Sequence, residues 1–187
     1  MDSQPGRALR VLIVDDNRDA ADSLALLLGF RHYACRVAYD GLAGLRAALD
    51  DPPDCVIADV SMPGLNGYEF ARRARAEPAL ARTKLVVLSA YKGSEHLRAA
   101  AEAGFDYTLT KGDDPAVLME VLRMIEQIKE LATKTQELAK QNVDLAGQTK
   151  ELLQEVKEEV KEVKQEVKEL KQEVKDLKNE KNDTGGP

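Results

Sequence analysis

The chain has 187 residues, enough for one ordinary domain and an additional segment. Its formal net charge of −6, with 27 Lys+Arg against 33 Asp+Glu and no basic stripe, argues against general affinity for nucleic acid or an anionic membrane. No apolar run approaches the roughly eighteen residues that span a bilayer, and no signal-peptide apolar core opens the chain, so a cytoplasmic protein is expected, with no nucleic-acid or membrane partner.

Residues 1–7 read as a short disordered lead. Ala8 to Val14 form a first strand, and Asn17 or Asp19 caps a helix running to about Phe30, with Leu24, Leu27 and Leu28 on one apolar face. Ala34 to Ala38 make a second strand and Leu42 to Leu49 a short helix, after which Pro52-Pro53 forces an extended approach to a third strand. That strand, Cys55 to Ala58, is wholly apolar, as a central parallel strand buried on both faces must be. Asn66 to Ala76 follow as helix, Lys84 to Leu88 as strand, Ser94 to Ala103 as helix and Phe105 to Thr110 as strand. Asp114-Pro115 then opens a last helix with proline near its first turn. Cys35 and Cys55 have neither a CxxC spacing nor a histidine partner, so core packing is their expected role. His32 and His96 are expected at the surface.

Alternating strands and helices of this kind build a doubly wound α/β sheet, whose ligand site lies beyond the carboxyl ends of its strands. The apolar runs stop at Asp15-Asp16, at Asp59, at Ser89 and at Lys111, so three carboxylates, a hydroxyl and an ammonium converge on one edge. Close carboxylates raise one another's pKa, and a hard divalent cation relieves that repulsion. Mg²⁺ suits a few carboxylates, water and a phosphate oxygen, and Ser89 and Lys111 would supply a hydroxyl donor and a point charge to phosphate oxygens.

Through Val11-Leu12-Ile13-Val14-Asp15-Asp16-Asn17, Val56-Ile57-Ala58-Asp59-Val60-Ser61-Met62-Pro63-Gly64, Gly67, Ser89-Ala90 and Thr110-Lys111, the first 127 or so residues resemble the receiver domain of two-component response regulators and hybrid histidine kinases. The resemblance implies a flavodoxin-like strand order 2-1-3-4-5. It implies that Asp59 accepts a phosphoryl group from a phosphohistidine on a sensor histidine kinase or phosphotransfer protein. It also implies that Asp16 and Asp59 ligate Mg²⁺ directly with the Ser61 carbonyl, while Asp15 acts largely through water. Two positions depart from the pattern. Gly112 follows Lys111 where proline is usual, which predicts a looser turn, and Thr108 stands where an aromatic is usual. Tyr107 is one residue away and therefore on the other face of its strand.

The surface chemistry changes after Gln127. Before it, lysine occurs only at Lys84, Lys92 and Lys111 among many arginines; from Ile128 onward there are twelve lysines and no arginine, and aromatics end at Tyr107. Val117, Val121, Met124, Ile128 and Leu131 step by four and three, and Leu131, Leu138, Leu145 and Leu152 recur every seven residues, so the last helix is expected to continue as a coiled coil. In its first part, which resembles the linkers that follow receivers in signalling proteins, leucine occupies d while a holds Thr135, Asn142 and Thr149. In the second part a is Val160, Val167 and Val174 and d is Val163, Leu170 and Leu177, the preference of a parallel two-stranded coil. Glutamates at g (Glu159, Glu166, Glu173, Glu180) face lysines at e (Lys164, Lys171, Lys178) only if the chains are parallel. The step of four from Val156 to Val160 after another step of four is a stutter.

The sequence therefore reads as a receiver over 8–127, a parallel homodimeric coiled coil over 128–181 continuous with the last receiver helix, and a disordered tail over 182–187. No separate catalytic domain is evident; self-phosphorylation from a phosphodonor and autodephosphorylation are the only activities expected. A zipper in place of an output domain, or a partner that supplies the output, would account for the tail. The alternative from another class is a structural adaptor or dimeriser whose receiver-like domain binds partners without phosphorylation.

Overall fold

The computed structural model describes residues 8–91 and 93–183, the side chains of 166, 167, 170, 171 and 173–183 excepted. The lead at 1–7 and residues 184–187 of the tail lie outside it, as do the side chains of Val167, Leu170, Val174 and Leu177 in the second half of the coil. Five strands, β1 (Arg10–Val14), β2 (Ala34–Ala38), β3 (Cys55–Ala58), β4 (Lys84–Ser89) and β5 (Tyr107–Thr110), alternate with α1 (Arg18–Gly29), α2 (Gly41–Asp50), α3 (Gly67–Ala76), α4 (Ser94–Ala103) and α5 (Pro115–Asp183). All strand pairs are parallel, in the order β2-β1-β3-β4-β5, as the α/β reading requires. Helix α5 extends through Asn182 and Asp183, which the sequence reading assigned to the tail.

Because successive side chains of a strand point to opposite faces, the apolar runs supply two cores. Leu12, Val14, Val56, Ala58, Leu85 and Val87 pack with Phe70, Ala71 and Ala100 on the side of α2, α3 and α4. Val11, Ile13, Cys55, Ile57 and Val86 pack with Leu28 of α1 and Leu118, Val121, Leu122 and Ile125 of α5 on the other. Cys55 is fully buried, and burial, with the charges of Asp106 and Asp54, pushes its thiol pKa up, which suits an inert core residue.

Asn17, Asp40 and Asn66 cap α1, α2 and α3 by accepting from the N–H groups of Ala20, Ala43 and Glu69. Strand β5 begins at Tyr107, two residues later than the apolar pattern predicts. The reason is the end of α4: Gly104 adopts φ 98° and the Phe105 N–H donates to the Ala100 carbonyl, so Phe105 closes the helix instead of joining the ladder. In α1 Leu28 is buried and Leu24 half-buried, but Leu27, expected on the same face, is exposed.

The described chain divides into two compact units at Leu131/Ala132. Within the second, Leu138, Leu145 and Leu152 are exposed, and the Thr149 hydroxyl donates to the Leu145 carbonyl 2.8 Å away in its own helix. Among the described residues no helix is long and apolar enough to cross a membrane.

Candidate functional site

The carboxyl ends of β1 and β3 set the site. The Asp15 N–H donates to the Ala38 carbonyl at 3.1 Å and the Asp59 N–H to the Val14 carbonyl at 2.9 Å, so both aspartates still belong to the ladder while their side chains project past it. Each is only 7% exposed. Each orients itself on its own turn: Asp15 Oδ1 accepts from the Asn17 N–H at 3.0 Å and Asp59 Oδ2 from the Ser61 N–H at 2.9 Å.

Lys111 lies between them. Its Nζ is 2.8 Å from Asp15 Oδ2 and 3.0 Å from Asp59 Oδ1. Partial burial opposes its charge, but hydrogen bonds and attraction from Asp15 and Asp59 outweigh burial, and its pKa is raised. The turn after Lys111 is not loosened by Gly112. The Lys111 N–H donates to the Ser89 carbonyl at 2.9 Å, the Thr110 N–H to Asp113 Oδ2 at 2.9 Å and the Asp113 N–H back to the Thr110 carbonyl at 2.9 Å. Asp113 closes the turn that proline usually shapes.

Carboxylate oxygens of Asp15, Asp16 and Asp59 lie within 4.8 Å of one another. Among the described residues, three carboxylates against the ammonium of Lys111 leave an excess of negative charge, and an oxygen-rich cluster of that sign fits a hard divalent cation. Both Asp15 oxygens already accept from protein donors, whereas Asp16 is exposed. Both Asp59 oxygens likewise accept, from the Ser61 N–H and from Lys111, so Asp16 is the carboxylate of the three that is most open to solvent.

Ser89 ends β4, the neighbour of β3, in a register that pairs Ala58 with Val87. Its hydroxyl is fully buried and accepts from the Tyr91 N–H at 3.0 Å. Close approach of backbones also shapes the site: the Gly67 N–H donates to the Val60 carbonyl at 3.0 Å, and a Cβ on Gly67 would stand 2.3 Å from the Asp59 carbonyl oxygen. Tyr107 pairs with Val86 and packs in the α1/α5 core, while Thr108 pairs with Val87, so the two residues occupy opposite faces of β5.

Beside Asp59, an open depression of about 680 Å³ is lined by Ser61, Tyr68, Tyr91, Glu95 and His96. His96 is half-buried, not at the surface: its Nδ1 is 2.5 Å from the Tyr68 hydroxyl and its Nε2 is buried without a hydrogen-bond partner among the described residues. The Ser61 hydroxyl lies 3.4 Å from that of Tyr91. Tyr68 follows Gly67 directly and Tyr91 follows the Ser89-Ala90 pair, which is the available signal; His96 carries none.

Residues 11–123 match the model of the response regulator receiver domain. The chain belongs to that family. It is 35% identical over 114 residues to the response regulator MprA of Mycobacterium avium, which covers 61% of this chain and 48% of MprA. It is 34% identical over 107 residues to the gliding motility regulatory protein of Myxococcus xanthus, or 57% of this chain and 14% of that protein. The receiver thus spans half or less of these relatives. Among solved structures, the chemotaxis protein CheY4 of Vibrio cholerae superposes with a TM-score of 0.60 at 26% identity, covering 64% of this chain and 99% of CheY4. The N-terminal domain of an uncharacterized Wolinella succinogenes protein does so with a TM-score of 0.60 at 34% identity, covering 65% and 97%.

Proposed function

We propose that this receiver takes a phosphoryl group on Asp59 from the phosphohistidine of a sensor histidine kinase or phosphotransfer protein in the cytoplasm, and that α5 carries the resulting change into a parallel dimeric coiled coil. The observation that carries the reading is Lys111 bridging Asp15 and Asp59 beside Asp16 at the strand ends. An Asp59 carboxylate oxygen attacks phosphorus, the bond from phosphorus to the imidazole nitrogen breaks, and the imidazole leaves with its electron pair. The Ser61 N–H and Lys111 hold the two Asp59 oxygens, yet each oxygen keeps a lone pair for attack.

Asp16, Asp59 and the Ser61 carbonyl, with Asp15 behind them, would hold Mg²⁺, which when bound neutralises charge on the transferring phosphoryl oxygens. Lys111 already carries its proton and supplies a second positive charge to those oxygens. Ser89 contributes a hydroxyl donor, free to rotate because the Tyr91 N–H occupies only one of its lone pairs.

The dimeric coil rests on the exposed seam of Leu131, Leu138, Leu145 and Leu152, apolar residues seven apart that a solitary helix leaves in water. Thr149, bonded within its own helix, contributes little across such a seam.

Incubation with acetyl phosphate and Mg²⁺, followed by intact mass measurement, tests the phosphoryl transfer. The parent should gain one phosphoryl group and Asp59→Asn none, with its fold retained. A parent that stays unmodified while folded and Mg²⁺-replete would favour an adaptor that works through its shape alone.

A further inference from the structure

Strand β3 has a carboxylate at each end, Asp54 just before it and Asp59 just after, and each holds a lysine, one shortly before α5 and one within it. At one end Lys111, four residues before the helix, bridges Asp15 and Asp59. At the other, Lys129 Nζ lies 2.7 Å from Asp54 Oδ2. The two grips are separated by one wholly buried strand of four residues.

Asp54 cannot follow the helix if the helix moves. The same Oδ2 accepts from the Arg10 N–H at 2.8 Å, the Asp54 N–H donates to the Arg10 carbonyl at 2.9 Å, and the Asp54 carbonyl accepts from the Lys84 N–H at 2.9 Å. It is therefore tied into β1, β3 and β4 together. Arg10 is itself held by Asp51 at 2.7 Å. Burial opposes the Asp54 charge, but hydrogen bonds from Lys129 and the Arg10 backbone, with the charges of both residues, outweigh it and lower the carboxyl pKa.

Lys129 also stands at a boundary in the packing of α5. Leu118, Val121, Leu122 and Ile125 are buried against the sheet, Ile125 being the last among the described residues of α5. Lys129, one turn later, is half-buried, and every residue from Glu130 to Gln165 is exposed. Apolar burial resists lifting of the helix but is non-directional and tolerates sliding and rotation. A charged hydrogen bond to one fixed oxygen defines a point.

We infer that the Lys129–Asp54 pair is a fixed clasp that sets where α5 leaves the receiver and serves as the pivot of the helix. A displacement of Lys111 moves the start of α5. With its exit pinned at Asp54, that displacement becomes a change in the direction of the helix beyond Lys129; without the pin, sliding along the apolar groove absorbs it. The input to this pivot rests on the phosphoacceptor reading of Asp59, whereas the clasp itself does not.

The test uses the full chain with spin labels at Asp50→Cys and Gln136→Cys, in a background carrying Cys35→Ser and Cys55→Ala, and compares Lys129, Lys129→Gln and Lys129→Arg with and without acetyl phosphate and Mg²⁺. Dipolar distance distributions, recorded with the labelled chain diluted into an excess of unlabelled chain so that a dimer carries one labelled protomer, report the helix, and intact mass reports phosphorylation. With Lys129, a narrow distribution shifts when the mass gain occurs. Lys129→Gln should gain mass at the same rate but show a broadened distribution and lose the shift, and Lys129→Arg should restore both. A Lys129→Gln protein whose distribution is as narrow, and shifts as far, as with Lys129 overturns the inference. If none of the proteins gains mass, the Asp59 reading fails separately. The clasp is then judged on the unmodified proteins: broadening in Lys129→Gln supports it, and unchanged width overturns it.

Discussion

Gly67→Ala should damage both stability and phosphorylation, although alanine suits a helix better than glycine. Gly67 is the first residue of α3, and a Cβ there stands 2.3 Å from the Asp59 carbonyl oxygen and 2.9 Å from Val60 Cα, against the 3.4 Å at which ordinary contact begins. Backbone, not the end of a flexible side chain, must therefore retreat by about 1 Å, a form of overpacking that costs about 1–3 kcal/mol. The retreating atom belongs to the phosphoacceptor itself. A reactive constellation tolerates about 0.5 Å of misplacement, and 1 Å can cost on the order of 100-fold in rate. Urea unfolding followed by circular dichroism should show the lower midpoint, and the time course of mass gain with acetyl phosphate should show the slower reaction. Gly147→Ala is the control: among the described residues nothing lies within 4 Å of its added Cβ, so it should raise helix stability by about 1 kcal/mol and leave the mass gain unchanged. A Gly67→Ala protein with the parent's unfolding midpoint and phosphorylation rate would refute the steric argument.

Three further outcomes are expected. Lys111→Ala should retain part of the phosphorylation but lose any change in tyrosine circular dichroism that accompanies it in the parent; an identical spectral change would remove Lys111 from the response. Leu145→Lys together with Leu152→Lys should lower the dimer fraction in light scattering at a given concentration while leaving the receiver folded, and an unchanged mass would move the dimer contact elsewhere. The Asp54 carboxyl pKa is depressed in the folded chain, so its contribution to stability is present above the unfolded carboxylate value of about 3.9 and is lost as pH falls through the lower folded value. The gap in urea midpoint between parent and Asp54→Asn should therefore narrow on acidification below about pH 4, and a constant gap would contradict this linkage.

Much of the architecture was legible because it follows from local rules. Val11 to Val14 and Cys55 to Ala58 are apolar at every position, which only strands covered on both faces permit, and β2 and α4 run over the residues their patterns predict. Asp15, Asp16, Asp59 and Lys111 could be brought together from sequence because parallel strands all end at one edge. What escaped depends on contacts distant in the chain or on competition for one hydrogen bond. Phe105 has strand chemistry, but its N–H is needed to finish α4. Gly112 announces a loose turn, yet Asp113 ties it. His96 reads as a surface helix residue until Tyr68 is brought beside it across 28 positions. Asp54 and Lys129 are 75 residues apart, and neither belongs to a motif that would name the other.

The central claim is that Asp59 is the residue that carries the phosphoryl group. An acyl phosphate, unlike a phosphoserine or a carboxylate that merely binds metal, is reduced by borohydride to the alcohol, leaving homoserine in place of aspartate. The chain should therefore be incubated with acetyl phosphate and Mg²⁺, reduced, digested and fragmented in a mass spectrometer. The account predicts homoserine at position 59 and unaltered aspartate at Asp15 and Asp16. Homoserine at Asp15 or Asp16, or a phosphoryl group that survives reduction on Ser89, would contradict it.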